Sequence, residues 1–195
     1  MIRHPGKPRV LLLAPAPPYP IKAGGEMRMA SMVRGLSRWA QLHIAALCTE
    51  NSPETEPWLR NLGASFAAYE RRRVGNIRVW QRRVTAVFSQ SSLRYSTDEA
   101  TFFTEAYAGF DPDLVWLETP SLLPYAIAWR KQVPLIVDYW GTSHGQYRDF
   151  VYAPLRRKLW EWLRWRVSRA GERRYAPLLS AIVTVSEQDA EFFRK

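Results

Sequence analysis

RVLLLAPAPPYPIKAGGEMR, residues 9–28, sets the architecture of this 195-residue chain. Val10 to Ala14 is a short run that is apolar on both faces and bounded by Pro8 and Pro15, the pattern of a fully buried strand. Pro15 to Pro20 carry the chain out of the sheet. Gly24 and Gly25 follow, and Met27, Ala30, Met32 or Val33, and Leu36 then recur at helical spacing. Strand, glycine turn and helix together are the local plan of a doubly wound α/β domain. Glycines at such a turn let backbone N–H groups approach an anion, and the helix N-terminus adds partial positive charge. The G-x-G-x-x-G dinucleotide fingerprint is absent. The glycine pair therefore either receives an anion or only shapes the turn.

Composition narrows the class. The length suits one core rather than two. Hydrophobic residues make up 47% and charged residues 24%, which is globular and not disordered. A net charge of +10 implies an anionic partner: phosphorylated substrates, an anionic membrane surface or nucleic acid. Nucleic-acid binding has charge alone behind it, since no helix-turn-helix, zinc or RNA-recognition signature is present. Cys48 is the single cysteine and lies in an apolar run, so it reads as a small buried hydrophobe. No apolar run approaches the ~20 residues of a membrane span, and Val10 to Ala14 is too short for a signal-peptide core. The expected location is cytoplasmic.

Leu42 to Cys48 reads as a second strand, with His43 solvated or hydrogen-bonded at its start. Pro57 to Leu62 reads as a short helix stopped by Gly63, and Ser65 to Tyr69 as a third strand. Glu70 to Arg94 carries seven arginines and one acid with an apolar stripe. It is either a solvated helix or a phosphate- or membrane-facing one. Thr97 opens a helix that ends near Gly109. Asp111-Pro112-Asp113 leads into the strand Leu114 to Leu117; its Asp-x-Asp spacing can hold a metal, but Pro112 makes a turn the stronger reading. Glu118 ends that strand. Thr119 to Lys131 reads as one helix, and Val133 to Val137 as a strand terminated by Asp138 in the same layer as Glu118. The loop Tyr139 to Gly145 is polar and aromatic and includes His144. Val151 to Tyr175 reads as one long basic helix with Trp160, Trp162 and Trp165, either packed on the sheet or lying on a membrane surface. Ala181 to Val185 is the last strand, and Ser186 caps a final helix.

Three segments resemble the N-terminal domain of glycosyltransferase family 4. One is the proline-rich turn with Gly24, Gly25 and Arg28. Another is Asp111-Pro112-Asp113-Leu114-Val115-Trp116-Leu117-Glu118, followed by Val133-Pro134-Leu135-Ile136-Val137-Asp138. The third is Glu172 ahead of Ala181-Ile182-Val183-Thr184-Val185-Ser186-Glu187. Their order and spacing cover nearly the whole chain, and polysaccharide-associated sugar transferases look most similar. The resemblance implies an α/β, Rossmann-like, doubly wound and mostly parallel sheet with helices on both faces, forming one half of a GT-B fold. It implies one domain over residues 1–195, with the nucleotide-sugar domain that carries the Glu-x7-Glu element absent. It further implies transfer from a nucleotide sugar to a glycan or lipid-linked acceptor, usually with retention of the anomeric configuration and without metal or other cofactor.

Under this resemblance Gly24, Gly25 and Arg28 match the loop facing the donor phosphates. Tyr139, Trp140 and Ser186 fall on the acceptor cleft. Many relatives place a histidine just after the strand that here ends at Val137. This chain departs there, with Asp138, Tyr139 and Trp140 in place and His144 further on, so Asp138, His144 and Glu118 are the candidate catalytic groups. An isolated acceptor-side half is expected to lack turnover. A lipid-linked acceptor would bring the protein to the inner membrane leaflet as a peripheral protein. The competing reading is a non-catalytic Rossmann-like module at a membrane surface, without specific nucleic-acid binding.

Overall fold

In the computed structural model the described residues are 6–22, 24–49, 52–71, 96–139 and 143–194, without the side chains of residues 144–146. The apolar runs form the strands β1 (Arg9–Ala14), β2 (Gln41–Cys48), β3 (Ser65–Glu70), β4 (Leu114–Leu117), β5 (Leu135–Tyr139) and β6 (Ala181–Thr184). The helices between them are α1 (Gly24–Trp39), α2 (Thr55–Asn61), α3 (Thr97–Phe110), α4 (Leu123–Ala126), α5 (Ser143–Tyr152) and α6 (Leu155–Tyr175), with α7 (Glu187–Arg194) last. The strands pair in the order β3-β2-β1-β4-β5-β6, and every neighbouring pair is parallel. This is the doubly wound Rossmann-like order, which reverses direction between β1 and β4 and opens a crevice at their carboxyl ends.

Both sheet faces are covered, as the two-sided apolar strands require. Leu11, Leu13, Val115, Leu117, Leu135 and Val137 point into one core, closed by Phe103 and Phe110 of α3 and by Trp129. Val10, Leu12, Ala14, Ile44 and Ala46 point into the other, closed by Met29, Val33 and Leu36 of α1 and Leu59 of α2. Alternation along β4 and β5 puts Trp116, Glu118 and Asp138 on the face that carries α1. Gly63 adopts a φ of 71° just after α2, the left-handed stop that glycine favours.

Three helical expectations differ from the structure. Thr119 to Lys131 is not one helix: the 3-10 turns Pro120–Leu122 and Ile127–Lys131 flank the four-residue α4. Pro124 removes the donor that a continuous α-helix would direct to the Pro120 carbonyl, whereas Pro120 sits at a first-turn position that needs none. Val151 to Tyr175 is two helices, because Pro154 drives Ala153 away from helical geometry and serves as the N-cap of α6. His144 lies in the first turn of α5 rather than in a loop. Asp138 is the penultimate residue of β5, not its terminator, and Glu70 closes β3. The helix expected over Glu70 to Arg94 falls on residues 72–95, which lie outside the described residues, as does Trp140.

Candidate functional site

The crevice is built from the end of β4, the end of β5 and the start of α1. The loop that delivers α1 is held from outside: Thr55 Oγ1 donates to the Tyr19 carbonyl at 2.7 Å, and the Tyr19 ring stacks on Trp58 at 5.3 Å. Burial of Met29, Val33 and Leu36 then seats α1 on the sheet. Gly24 and Gly25 form its first turn. Gly24 does not use a left-handed φ, and a Cβ built there meets nothing within 4 Å. Neither backbone geometry nor packing among the described residues demands glycine at that position.

Arg28, in the first turns of α1, reaches across to β5. Its Nε donates to Asp138 Oδ2 at 3.1 Å, and its terminal nitrogen donates to Oδ1 of the same carboxylate. Asp138 is buried, whereas the Arg28 side chain is 34% exposed. The pair therefore presents a fixed guanidinium edge to the crevice and hides its counter-charge beneath.

Glu118 sits beside this pair. Its N–H donates to the Leu13 carbonyl at 3.0 Å, which carries the β4 ladder one residue further. Leu117 pairs with Val137, so Glu118 falls next to Asp138 in the register. The residue is 1% exposed, and neither carboxyl oxygen finds a hydrogen-bond partner among the described residues. Burial pushes its pKa up to about 8, with the Asp138 charge adding to the rise and Arg28 opposing it. A carboxyl in this state holds its proton near neutral pH and exchanges it close to the pH at which enzymes work.

The remaining sequence candidates occupy different places. Tyr139 alternates to the opposite face from Asp138, is buried, and packs edge-on against Phe193 at 4.8 Å. It supports the strand end from the core. Ser186 is exposed and caps α7: its Oγ accepts the Asp189 N–H at 3.2 Å and donates to Asp189 Oδ2 at 2.7 Å. His144 lies in the first turn of α5, five residues after Tyr139 at the end of β5.

Glu172, which the sequence placed in the third family-like segment without a role, lies behind this end of the sheet. Glu172 of α6 is buried, accepts the Ser143 N–H at 2.6 Å, and accepts the Ser143 hydroxyl on its other oxygen. It fixes the start of α5, and so the placement of His144, against the long helix. Burial raises its pKa, while the two Ser143 hydrogen bonds pull it down. The available signal was an acid alone among arginines in the last turn of a basic helix, where a charge of that sign is unfavourable on the surface.

Asp111 and Asp113 serve a turn. Asp111 ends α3 with a φ of 51°, and Asp113 Oδ2 accepts the Arg9 N–H at 2.8 Å. Among the described residues no group of three or more His, Cys, Asp or Glu side chains is arranged to hold a metal. His43 is satisfied by Ser65 at 2.8 Å and stacks on Phe110, and its burial lowers its pKa to about 4. No described helix is long and apolar enough to cross a membrane.

A family profile described as "Glycosyl transferase 4-like domain" matches residues 23–195. The chain belongs to the glycosyl transferase 4-like family. The match begins at the residue before α1 and so takes in Arg28, Glu118, Asp138 and the start of α5. No curated protein matched the sequence. Among solved structures, this glycosyl transferase 4-like domain is similar to spinosyn forosaminyltransferase SpnP at 14% identity and a TM-score of 0.38, covering 84% of this chain and 42% of that one. It is similar to the Streptomyces sp. SF2575 glycosyltransferase SsfS6 at 15% identity and a TM-score of 0.36, covering 89% and 45%. A Vibrio parahaemolyticus protein of unknown function, VPA0982, aligns at 11% identity and a TM-score of 0.42, covering 95% and 98%. The domain thus spans less than half the length of the two transferases it matches.

Proposed function

We propose that this domain is the acceptor-side half of a GT-B glycosyltransferase that moves a sugar from a nucleotide-sugar donor to a glycan or lipid-linked acceptor. The observation that carries the reading is Glu118, a buried carboxyl without a hydrogen-bond partner among the described residues, at the carboxyl end of a switch-point strand and beside the Arg28–Asp138 pair. An acceptor hydroxyl entering the crevice supplies the partner that Glu118 lacks. Ionised Glu118 takes the hydroxyl proton as the acceptor oxygen bonds to the anomeric carbon on the face that the diphosphate leaves, which keeps the configuration. The bond from that carbon to the diphosphate oxygen breaks, and the nucleoside diphosphate leaves with the electron pair. Arg28, aimed by Asp138, faces the developing negative charge together with the first-turn N–H groups of α1, which is electrostatic stabilisation by preorganised donors. His144 is the second candidate for the proton, from the amino end of α5. The chemistry asks for no metal or other cofactor.

The test is an assay with a panel of nucleotide sugars and lipid or glycan acceptors. The 195-residue chain alone is expected to show no turnover above a heat-killed control, because donor-holding groups must come from a facing domain. Joined to such a domain, Glu118→Gln should lower kcat by about 10²-fold or more. Donor KM should stay within about twofold, since the amide still fills the site. Full activity in Glu118→Gln would reject Glu118 as the base.

A further inference from the structure

The helices α5 and α6 form an antiparallel hairpin that leaves the sheet. The only buried residue of α6 is Glu172, in its last turn, and α6 packs chiefly on α5 and on the 3-10 turn that follows it. The seam between the two helices is aromatic: Trp165 stacks on Phe150 at 6.3 Å and meets Tyr147 at 5.2 Å. These contacts occupy Trp165, one of the three tryptophans that the sequence offered as surface groups, whereas Trp162 stays exposed. They leave a different set of apolar side chains uncovered at the far end of the hairpin. Leu155 is 89% exposed, Tyr152 81% and Leu159 70%, with Val151 also exposed beside them. Leu155, Leu159 and Trp162 recur at i, i+4 and i+7, so they line one stripe of α6.

The same end is strongly cationic. Residues 143–175 contain nine arginines and lysines and three acids. Each of those acids is already engaged: Asp149 and Glu161 with Arg164, at 3.4 and 3.2 Å, and Glu172 with Ser143. Arg156, Arg157 and Lys158, adjacent to Leu155 and Leu159, are exposed and ion-pair with no carboxylate among the described residues. A helix of ten residues separates this tip from the start of α5, a reach of about 15 Å from the crevice end of the hairpin.

We propose that the hairpin tip is a docking site for an anionic lipid surface: Tyr152, Leu155 and Leu159 enter the headgroup region while Arg156, Arg157 and Lys158 meet the lipid phosphates. Leucines and a tyrosine flanked by cations that no described carboxylate neutralises match both layers of such an interface. A nucleic acid would use the cations but has no place for two exposed leucines. A second copy of this chain would use the leucines but would bring like charges together. The inference needs no part of the transferase reading and fails or stands separately from it.

The experiment is vesicle flotation of the full chain, with phosphatidylcholine alone and with phosphatidylcholine containing phosphatidylglycerol, across a salt series. The chain should bind the mixed vesicles, bind pure phosphatidylcholine far less, and lose binding as salt rises. Arg156→Gln with Arg157→Gln should weaken partitioning about 25-fold, from about fivefold for each basic side chain removed. Leu155→Ser with Leu159→Ser should weaken it about 10-fold or more by removing the apolar insertion. Both sites are exposed, so circular dichroism should show the native fold in each variant. Arg60→Gln with Lys131→Gln removes two exposed charges elsewhere and should leave partitioning within about twofold. Three outcomes would overturn the proposal: equal loss in this distant pair, undiminished binding in the serine variant, or a tip-dependent dimer in light scattering with no vesicle binding.

Discussion

Arg28 and Asp138, 110 residues apart, form a two-point guanidinium–carboxylate contact across the mouth of the sheet. The two partners are unequal. Asp138 is buried, whereas Arg28 keeps a third of its side chain in solvent. Removing Arg28 strands a buried carboxylate next to Glu118, so Arg28→Ala should destabilise the chain by about 3–5 kcal/mol. Removing the charge of Asp138 leaves an arginine that can turn to water, so Asp138→Asn should cost only about 1–2 kcal/mol. Urea unfolding of both variants checks the order. Equal costs, or a larger one for Asp138→Asn, would contradict a one-sided burial.

Glu118 should make the fold less stable as pH rises. Its folded pKa of about 8 lies above its ordinary value of 4.5, so its contribution is fully present below about 4.5 and is lost as pH rises through about 8. His43 has the opposite sign. Its pKa falls from 6.5 to about 4, so its contribution is present above 6.5 and is lost as pH falls through about 4. Between about pH 6.5 and 8 the His43 contribution is nearly constant and Glu118 dominates the slope. Glu172 is also raised and adds a slope of the same sign as Glu118. Glu118→Gln should therefore flatten, without abolishing, the fall in unfolding free energy across that window. An unchanged slope would mean that Glu118 ionises freely in the folded state.

The sheet was legible because its strands are buried on both faces. Val10–Ala14, Leu114–Leu117 and the core of β5 are unbroken apolar runs bounded by prolines and charged residues, and such runs have few other uses. Glu118 and Asp138 were legible as a layer for the same reason: each is the first acid after an apolar strand. What the sequence hid was pairing. Nothing local to Arg28 names Asp138, and nothing local to Ser143 names Glu172, because both contacts depend on strand order rather than spacing. The two helix breaks were readable at Pro124 and Pro154, yet the run of good helix formers from Leu155 onward masked the second. The burial of Tyr139 follows from period-two alternation once Asp138 is placed inside β5 rather than at its end.

Glu172 acts as a side-chain cap for α5 supplied from another helix. Ser143 contributes both its N–H and its hydroxyl to that carboxylate. Ser143→Ala removes one of the two bonds and should cost about 1–2 kcal/mol. Glu172→Ala leaves the buried amide unsatisfied as well, and should cost about 2–4 kcal/mol. Hydrogen exchange should localise the loss: amides in the first turn of α5 should lose protection in Glu172→Ala while those of β1 keep it. Uniform loss across the sheet would assign Glu172 a global rather than a capping role.

A fourth buried acid, Glu99, meets Arg71 just beyond the carboxyl end of β3. Arg71 Nε and a terminal nitrogen donate to its two oxygens at 3.0 and 3.2 Å, and the Tyr125 hydroxyl donates to one of them at 2.5 Å. The Ser96 N–H in turn donates to Tyr125 at 3.2 Å, and the Arg71 N–H donates to the Cys48 carbonyl at 2.7 Å. Residues 71 and 96, which flank residues 72–95, are thereby tied to one carboxylate. The phenol stays neutral, since burial first and its bond to Glu99 second push its pKa well above the ordinary tyrosine value. Tyr125→Phe keeps the ring in the core and should cost about 1–2 kcal/mol for the lost hydroxyl. Glu99→Gln removes the charge that holds Arg71 and should cost about 2–4 kcal/mol, less than for a fully buried pair because Arg71 is partly solvated. The double variant should fall short of the sum by about 1 kcal/mol, because both substitutions disrupt the same hydrogen bond. Additive costs in urea unfolding would show that Arg71 and Tyr125 hold the two flanks independently, and would reject Glu99 as their common anchor.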